Sequence, residues 1–283
     1  MSLDDLPPLR DSLAEHGLTA NKGFGQHFLL DLNITRKIAR LAGPLEGCAV
    51  LEAGPGPGGL TRALLEAGAR VIAVEKDARF LPLLEQISAA AQGRLVLVRD
   101  DALRVDEAAL LAEHAPGRPL RIVSNLPYNV GTPLLIKWLT GPLGWEAMAL
   151  MFQKEVAERI VAPVASESYG RLAVIAGALA HAQIVMDLPA RAFTPPPKVA
   201  SAVVLLTPRV DRPSAADIRA LEAVTHAAFG QRRKMLRGSL KQLGGEALCA
   251  AAKIDPNARG ETIDVEGFLR LAKASRGQPS DRS

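Results

Sequence analysis

The fold of this chain of 283 residues is decided by one stretch, Ala49-Val50-Leu51-Glu52-Ala53-Gly54-Pro55-Gly56-Pro57-Gly58-Gly59. Its first five residues predict a short buried strand. The glycines that follow let the backbone approach a ligand closely at the end of that strand. A helix is expected over residues 60–67, closed by Gly68. A strand, a glycine-rich loop and a helix in this order are typical of a nucleotide-binding α/β unit.

Strands and helices alternate along most of the chain. Further strands are expected at Arg70–Val74, Leu95–Val98, Leu120–Val123, Ala147–Phe152, Ile184–Leu188 and Ala202–Leu206. The alternation predicts an α/β fold with a mostly parallel sheet and helices on both faces. Ligands of such sheets bind beyond the carboxyl ends of the strands, where Gly54, Glu75, Asp101 and Asn125 all fall.

The glycine loop also satisfies the fingerprint of dinucleotide-binding enzymes. Gly54, Gly56 and Gly59 have the required spacing, and Glu75 follows 21 residues after Gly54. A carboxylate at this distance from the glycine loop can accept hydrogen bonds from both hydroxyls of the ribose of a bound cofactor. A nicotinamide-dependent enzyme is therefore one alternative.

Two features of the loop favour a different cofactor. Pro55 and Pro57 remove N–H donors that a pyrophosphate would need. Glu52 places a carboxylate just before the loop, which suits a cofactor with a positively charged amino-acid end. S-adenosylmethionine has such an end and carries no phosphate, so it is the favoured cofactor.

A second motif, Asn125-Leu126-Pro127-Tyr128, ends the predicted strand at residues 120–123. The proline stiffens this corner and biases Leu126 toward an extended conformation. The Asn125 side chain and the Leu126 carbonyl can accept two hydrogen bonds from an exocyclic amino group, and the Tyr128 ring can stack on its base. The motif favours methyl transfer to N6 of adenine. The alternative is an ordinary strand-to-loop turn.

Two further segments supply candidate contacts for the cofactor. Gln26 and His27 offer polar groups in a glycine-containing loop, although His27 can equally be a surface or half-buried histidine. Asp101 and Ala102 follow the strand at residues 95–98, where an acidic residue can receive an adenine amino group. Asp100 and Asp101 can also cap the next helix.

Phe193 begins a stiff segment with three consecutive prolines, Pro195–Pro197. A rigidly mounted ring at this position can oppose Tyr128 and sandwich a base. The alternative is a hydrophobic plug in the core.

The composition, 48% hydrophobic and 23% charged residues, is that of a globular protein. The first ten residues do not have the pattern of a signal peptide, and no apolar run approaches the roughly 20 residues of a membrane helix. Cys48 and Cys249 predict free thiols in a reducing compartment, and neither belongs to a metal-binding pattern. We expect a cytoplasmic monomer without a metal.

The charge changes along the chain. Residues 209–283 hold 14 basic and nine acidic residues, a net charge of +5, whereas residues 1–208 have a net charge of −1. Arg209–Pro213 is expected to be a linker to a helical region. The run Arg232–Lys234, with Arg237 and Lys241, is suited to phosphate contacts.

Six motifs occur in order: Gly25–Leu29, Glu52–Gly56, Asn125–Tyr128, Gln153–Glu155, Phe193–Val199 and Phe229–Lys234. Together they resemble the ribosomal RNA small-subunit adenine dimethyltransferase family, over about residues 22–271. The resemblance implies a class I methyltransferase domain at residues 1–208. Its Rossmann-like sheet would have seven strands, the last of them antiparallel. A small, basic, helical RNA-binding domain is implied at residues 209–283.

The resemblance also implies a reaction, S-adenosylmethionine-dependent N6,N6-dimethylation of two adjacent adenosines in a hairpin loop near the 3′ end of 16S rRNA, during small-subunit biogenesis. The implied catalytic residues are Asn125, Leu126, Pro127 and Tyr128. The implied cofactor contacts are Gln26, His27, Leu29, Gly54, Gly56, Glu75, Lys76, Asp101, Ala102 and Asn125. The implied substrate contacts are Tyr128, Phe193, Pro197, Lys198, Arg232, Arg233 and Lys234. Two alternatives stay open: an adenine methyltransferase acting on 23S rRNA or DNA, and a non-catalytic ribosome-assembly factor of the same fold.

Overall fold

The computed structural model describes residues 2–20, 23, 25–231 and 233–277. Residue contacts divide the chain into two compact units. The first contains residues 1–137, 143–157 and 183–207, and the second contains residues 138–142, 158–182 and 208–283.

The strands are β1 (Phe28–Leu29), β2 (Ala49–Ala53), β3 (Arg70–Val74), β4 (Leu95–Val98), β5 (Leu120–Asn125), β6 (Ala147–Gln153), β7 (Ala180–Leu188), β8 (Phe193–Thr194) and β9 (Ser201–Pro208). The helices are α1 (Leu9–Glu15), α2 (Leu32–Leu41), α3 (Gly59–Glu66), α4 (Leu81–Ala90), α5 (Glu107–His114), α6 (Gly131–Thr140), α7 (Lys154–Ile160), α8 (Arg171–Leu179), α9 (Ala215–Gly230), α10 (Leu236–Ser239), α11 (Gly245–Ala251) and α12 (Val265–Arg276).

Seven strands form one mixed sheet in the order β4-β3-β2-β5-β6-β9-β7. The pairs from β4 to β6 are parallel, and β9 runs antiparallel to β6. The predicted α/β class and its mostly parallel sheet are confirmed. The chain leaves β2 toward β3 and β4 and then returns to β5 on the other side of β2. This reversal makes the carboxyl ends of β2 and β5 the place where such sheets bind ligands.

The elements nearest the site form for local reasons that the sequence shows. Every residue of β2 is buried, which matches its apolar composition at all positions except Glu52. The Asp31 side chain accepts a hydrogen bond from the Asn33 N–H and caps α2. Asp106, by contrast, caps α5 through the Ala109 N–H. The alternative in which Asp100 or Asp101 caps this helix is therefore wrong.

The element boundaries differ from the predicted ones where pairing overrides local preference. β7 begins at Ala180, directly after α8, and is four residues longer than the strand predicted at Ile184–Leu188. The short strands β1 and β8 form a separate antiparallel pair in which Leu29 lies opposite Phe193. Neither was predicted, because a strand of two residues carries no periodicity.

The second unit is mainly helical. Tyr169 is buried, and its hydroxyl donates a hydrogen bond of 2.9 Å to the Ile263 carbonyl. Its ring packs edge-on against Phe229, which in turn stacks on the buried Phe268. Burial raises the pKa of Tyr169 to about 12, so this hydroxyl stays a hydrogen-bond donor at physiological pH.

Among the described residues, no helix combines the length and the apolar character that a membrane span requires. The described part of the chain also holds no cluster of three or more side chains suited to a metal ion. Cys48 and Cys249 are both free and buried, as predicted.

Candidate active site

A cleft of about 1070 Å³, including the part open to solvent, lies in the first unit beyond the carboxyl ends of β2, β3, β4 and β5. All ten residues expected to contact the cofactor line it. The four expected catalytic residues, Asn125, Leu126, Pro127 and Tyr128, line it as well. The fold thus gathers in one cleft residues that lie up to about a hundred positions apart in the sequence.

The glycine loop and the Asn125–Tyr128 motif are in direct contact. Gly54 has a φ of +69°, and a Cβ atom at this position would lie 3.1 Å from Cγ of Pro127. A larger residue would be strained by the backbone angle and would also press on the motif. Beneath this contact, the buried Ser124 hydroxyl donates a hydrogen bond of 2.5 Å to the Ala53 carbonyl, which joins the ends of β5 and β2.

Glu75 connects two segments that line the cleft. One of its carboxylate oxygens accepts a hydrogen bond of 2.9 Å from the Gly56 N–H, and the other accepts one of 2.7 Å from the Asp77 N–H. Burial raises the pKa of this carboxyl, while the two backbone donors act in the opposite direction. Glu75 therefore fixes both the glycine loop and the turn after β3.

Three N–H groups of the glycine loop are already used within the protein. Gly54 donates to the Val74 carbonyl, Gly56 donates to Glu75, and Gly58 donates to the Pro55 carbonyl. Five carboxylates line the cleft, whereas Lys76 is the one lysine or arginine among the lining residues that the structure describes. A pyrophosphate would meet negative charge and few free donors here, so the geometry disfavours the dinucleotide alternative and favours a phosphate-free, cationic ligand.

Glu52 is a buried carboxyl in the wall of the cleft. It accepts a hydrogen bond of 2.7 Å from the buried Thr61 hydroxyl. Burial raises the pKa of Glu52 from 4.5 to about 8, and the nearby Glu75 acts in the same direction. A buried carboxyl of this kind gains from a positively charged ligand that compensates its ionised form.

The raised pKa of Glu52 predicts how stability depends on pH. Between about pH 4.5 and 8, the folded ligand-free protein holds a proton at Glu52 that the unfolded chain has lost. The contribution of Glu52 to the free energy of unfolding therefore falls as pH rises through this range, by up to about 1.4 kcal/mol per pH unit. Glu52→Gln, which cannot ionise, should gain stability relative to the natural protein between pH 5 and pH 8. Denaturant unfolding at four pH values measures this difference. Parallel curves for the two proteins would contradict the assignment, and Glu85→Gln on the exposed side of α4 is the matched control.

The loops after β3 and β4 are tied by ion pairs at the edge of the cleft. Lys76 Nζ lies 2.8 Å from an Asp101 carboxylate oxygen, and this contact lowers the pKa of Asp101. The Gln26 side chain donates to Asp77, which also pairs with Arg79 at 2.5 Å. These contacts hold the loop that carries Gln26 against the turn after β3.

Asn125 has a defined orientation. Its amide nitrogen donates a hydrogen bond of 3.1 Å to the His27 carbonyl. A carbonyl only accepts, so the nitrogen of the amide must face it, and Oδ1 stays available as an acceptor. The His27 ring donates through Nδ1 to the Pro195 carbonyl at 2.8 Å, for the same reason. The segment carrying His27 thus sets the direction of the Asn125 amide.

The Tyr128 ring is held from two sides. Its hydroxyl forms a hydrogen bond of 2.7 Å with the buried Ser201 hydroxyl at the start of β9. Its ring lies 5.2 Å from the His27 ring, at an interplanar angle of 32°. Burial raises the pKa of Tyr128, so the phenol stays neutral. An aromatic face held in this way beside an oriented amide is suited to a flat heterocycle with an amino group.

The sequence model of the family described as ribosomal RNA adenine dimethylase matches residues 17–276 of this chain. The chain belongs to this family.

Two curated relatives have names that match the family, and both align with nearly the whole chain. Ribosomal RNA small subunit methyltransferase A of Phenylobacterium zucineum (strain HLK1) is 67% identical over 97% of this chain and 94% of that protein. The protein of the same name from Caulobacter vibrioides is 65% identical over 91% of this chain and 98% of that protein. The chain is an rRNA adenine dimethyltransferase by family, and the resemblance drawn from its six motifs is confirmed.

Solved structures are similar in fold. A dimethyladenosine transferase from Plasmodium falciparum superposes with a TM-score of 0.70 and 24% identity, covering 87% of this chain and 96% of that one. The 23S rRNA methyltransferase ErmE superposes with a TM-score of 0.64 and 26% identity, covering 88% and 99%. Both similarities fit the Rossmann-like methyltransferase fold.

Some predicted substrate residues of this adenine dimethylase lie outside the cleft. Phe193 is buried in the hydrophobic core and does not line the cleft. Its position agrees with the alternative in which Phe193 is a packing residue of the core. Its sandwich with Tyr128 stays a prediction. Pro197 is buried and Lys198 is exposed. In the second unit Arg233 and Lys234 are exposed, and Arg232 lies outside the described residues.

Sequence reasoning missed several residues that shape the cleft of this dimethylase. Thr61, Asp77 and Ser201 are buried polar residues that touch Glu52, Gln26 and Tyr128 respectively. Each lies more than seven positions from its partner in the sequence, so no local pattern reveals it. Ser201 lies four positions after the last of the three consecutive prolines, and its closeness to that segment was the available signal.

Proposed function

We propose that this enzyme transfers methyl groups from S-adenosylmethionine to N6 of two adjacent adenosines, each twice, in a hairpin loop near the 3′ end of 16S rRNA. The observation that carries the proposal is Asn125, whose amide is oriented by the His27 carbonyl with Oδ1 available as an acceptor in the cleft. Substrate identity is supported by the names of the two relatives that are at least 65% identical. The reaction then belongs to ribosome biogenesis in the bacterial cytoplasm. The expected monomer stays a prediction.

The cleft fits S-adenosylmethionine by the chemistry of its lining. Glu52 suits a cationic amino-acid end, and Glu75 suits ribose hydroxyls. Asp101 and Ala102 line the cleft after β4, and we expect them to meet the adenine ring. Lys76 pairs with Asp101, and we expect this pair to rearrange when the cofactor binds. The rest of the cofactor site would be formed by the remaining expected contacts, Gln26, His27, Leu29, Gly54 and Gly56.

The bound cofactor supplies an electrophilic methyl group, so the protein's task is to orient the accepting nitrogen. The target adenine leaves its loop stack, at a modest cost in unpaired RNA, and its base lies against Tyr128. In the first transfer Asn125 Oδ1 and the Leu126 carbonyl accept the two hydrogens of N6, and in the second transfer one of them accepts the single hydrogen that is left. These bonds draw the nitrogen toward a pyramidal geometry and expose its lone pair. The new N–C bond would replace the methyl–sulfur bond of the cofactor, and N6 would then lose one proton to water. The rate gain comes from orientation and preorganised electrostatics, and we expect no metal and no strong general base.

The turn that follows Leu126 supports the role proposed for its carbonyl. Val130 and Gly131 both donate their N–H groups to the Pro127 carbonyl, and this closes the turn that leads into α6. The turn therefore satisfies the neighbouring carbonyl and directs the backbone of Leu126, which lines the cleft.

We assign RNA binding to residues 209–283. Arg233 and Lys234 are exposed on the segment after α9, Arg237 is exposed on α10, and Lys241 is exposed shortly after α10. Exposed cations near one another suit contacts to RNA phosphates, which fix the position of the RNA without reading its sequence.

The alternatives have weaker support. A 23S rRNA substrate is suggested by the similarity to ErmE, but at 26% identity this similarity is far below that of the small-subunit relatives. A purely non-catalytic assembly factor would not need an oriented Asn125 amide in a cleft suited to the cofactor.

Transfer of labelled methyl groups from S-adenosylmethionine to purified small ribosomal subunits that lack the modification tests the proposal. We expect N6,N6-dimethyladenosine in the 16S rRNA after nucleoside analysis. Transfer only to large-subunit rRNA or DNA would overturn the substrate and keep the mechanism. Cofactor binding without transfer to any nucleic acid would favour the assembly factor.

A further inference from the structure

Lys137 lies on α6 at the edge of the cleft. Leu134, on the same face of α6, lines the cleft itself, and so does Val130, which directly precedes the helix. The next position on this face, Lys137, reaches away from the cleft wall toward the loop that follows β4. One helix therefore follows the Asn125–Tyr128 motif and also contacts the loop that carries Asp101 and Ala102.

Lys137 makes three close polar contacts with this loop and with the start of α5. Its Nζ donates to the Ala102 carbonyl at 2.9 Å and to the Val105 carbonyl at 2.8 Å. It also pairs with a carboxylate oxygen of Glu107 at 2.8 Å. An ammonium group has three donors, and these three acceptors use all of them. The Glu107 side chain is only 8% exposed and that of Lys137 is 28% exposed, so the ion pair is partly shielded from solvent.

Hydrogen bonds to Asp101 close the loop after β4 into a turn. The N–H of Arg104 and that of Val105 donate to the Asp101 carbonyl, and the N–H of Leu103 donates to the Asp101 side chain. Such a turn directs carbonyls outward, and an outward carbonyl needs a partner when it is shielded from water. Lys137 supplies that partner to two of them, Ala102 and Val105.

We propose that Lys137 is a positioning residue for the cofactor, acting through the loop of residues 101–105. It holds the Ala102 carbonyl and the adjoining Asp101 in the arrangement that receives the adenine end of the cofactor. The inference rests on the proposed function, because it assigns residues Asp101 and Ala102 to that end.

Lys137→Met tests the inference, because it keeps the length of the side chain and removes all three donors. We expect S-adenosylhomocysteine, measured by calorimetry, to bind about tenfold more weakly, which is the loss expected from one hydrogen bond to a charged group. The KM for S-adenosylmethionine should rise by a similar factor, while the KM for the RNA substrate stays unchanged. Lys37→Met, at an exposed position of α2, is the matched control and should bind as the natural protein does.

A double variant separates positioning from stability. Lys137→Met alone leaves the buried Glu107 without this cation and lowers the melting temperature. Lys137→Met combined with Glu107→Gln removes the buried charge itself, so the melting temperature should recover while the weak binding persists. Recovery of binding together with stability would overturn the positioning role. Natural affinity in Lys137→Met would overturn it as well. Failure of the natural protein itself to bind S-adenosylhomocysteine would instead refute the proposed function.

Discussion

Asn125→Ala should reduce the single-turnover rate of methyl transfer at least about a thousandfold. The variant loses Oδ1, one of two acceptors that orient N6 of the target adenine, and groups of this kind contribute about a hundred- to a thousandfold each. It also loses the hydrogen bond to the His27 carbonyl, which loosens the segment that contacts the Tyr128 ring. Quenched-flow measurement with small ribosomal subunits and saturating S-adenosylmethionine gives this rate.

The loss should fall on chemistry and not on binding. Asn125 lies at the edge where β5 ends, while the exposed cations assigned to RNA binding lie in the second unit. We therefore expect the affinity for the small subunit to stay within about threefold of the natural value, since phosphate contacts dominate RNA affinity. Asn33→Ala, at an exposed position of α2, is the matched control. A transfer rate near the natural one in Asn125→Ala would remove Asn125 from the mechanism.

Glu75→Gln should weaken the binding of S-adenosylhomocysteine about a hundredfold. The natural carboxylate accepts hydrogen bonds from Gly56 and from Asp77 through its two oxygens. An amide has one oxygen, so its NH₂ group would face one of these N–H groups and leave that donor unpaired in a buried place. Such a donor costs about 1–3 kcal/mol, and the acceptor for the ribose is weakened at the same time.

Calorimetry and thermal melting together check this prediction. The melting temperature should fall, because both the glycine loop and the turn after β3 lose an anchor. Glu85→Gln, on an exposed part of α4, removes a charge without a buried hydrogen bond and should change neither quantity. Binding within about threefold of the natural affinity in Glu75→Gln would show that Glu75 does not serve the cofactor.

The sequence by itself determined the element types around the cleft. The bounds of β2, β3 and β4 match the predicted ones, because each strand is a short, mostly apolar run with turn residues on both sides. It also placed Gly54, Glu75, Asp101 and Asn125 at the ends of successive strands, and parallel pairing brings such ends to one edge of the sheet. The ordered motifs indicated the family, since each one is local.

Only the tertiary structure decided which side chains fix these residues in place. His27 orients Asn125 across 98 positions, and Ser201 holds Tyr128 across 73. Lys137 on α6 donates a hydrogen bond to the carbonyl of Ala102, which lies in a loop 35 positions earlier in the chain. Phe193 is buried in the core, where the sequence left two alternatives open. The physical reason is that hydrogen bonds and burial between distant segments depend on how the strands pair and pack. The periodicity of a single segment records which face is apolar, and it does not record which distant group that face will meet.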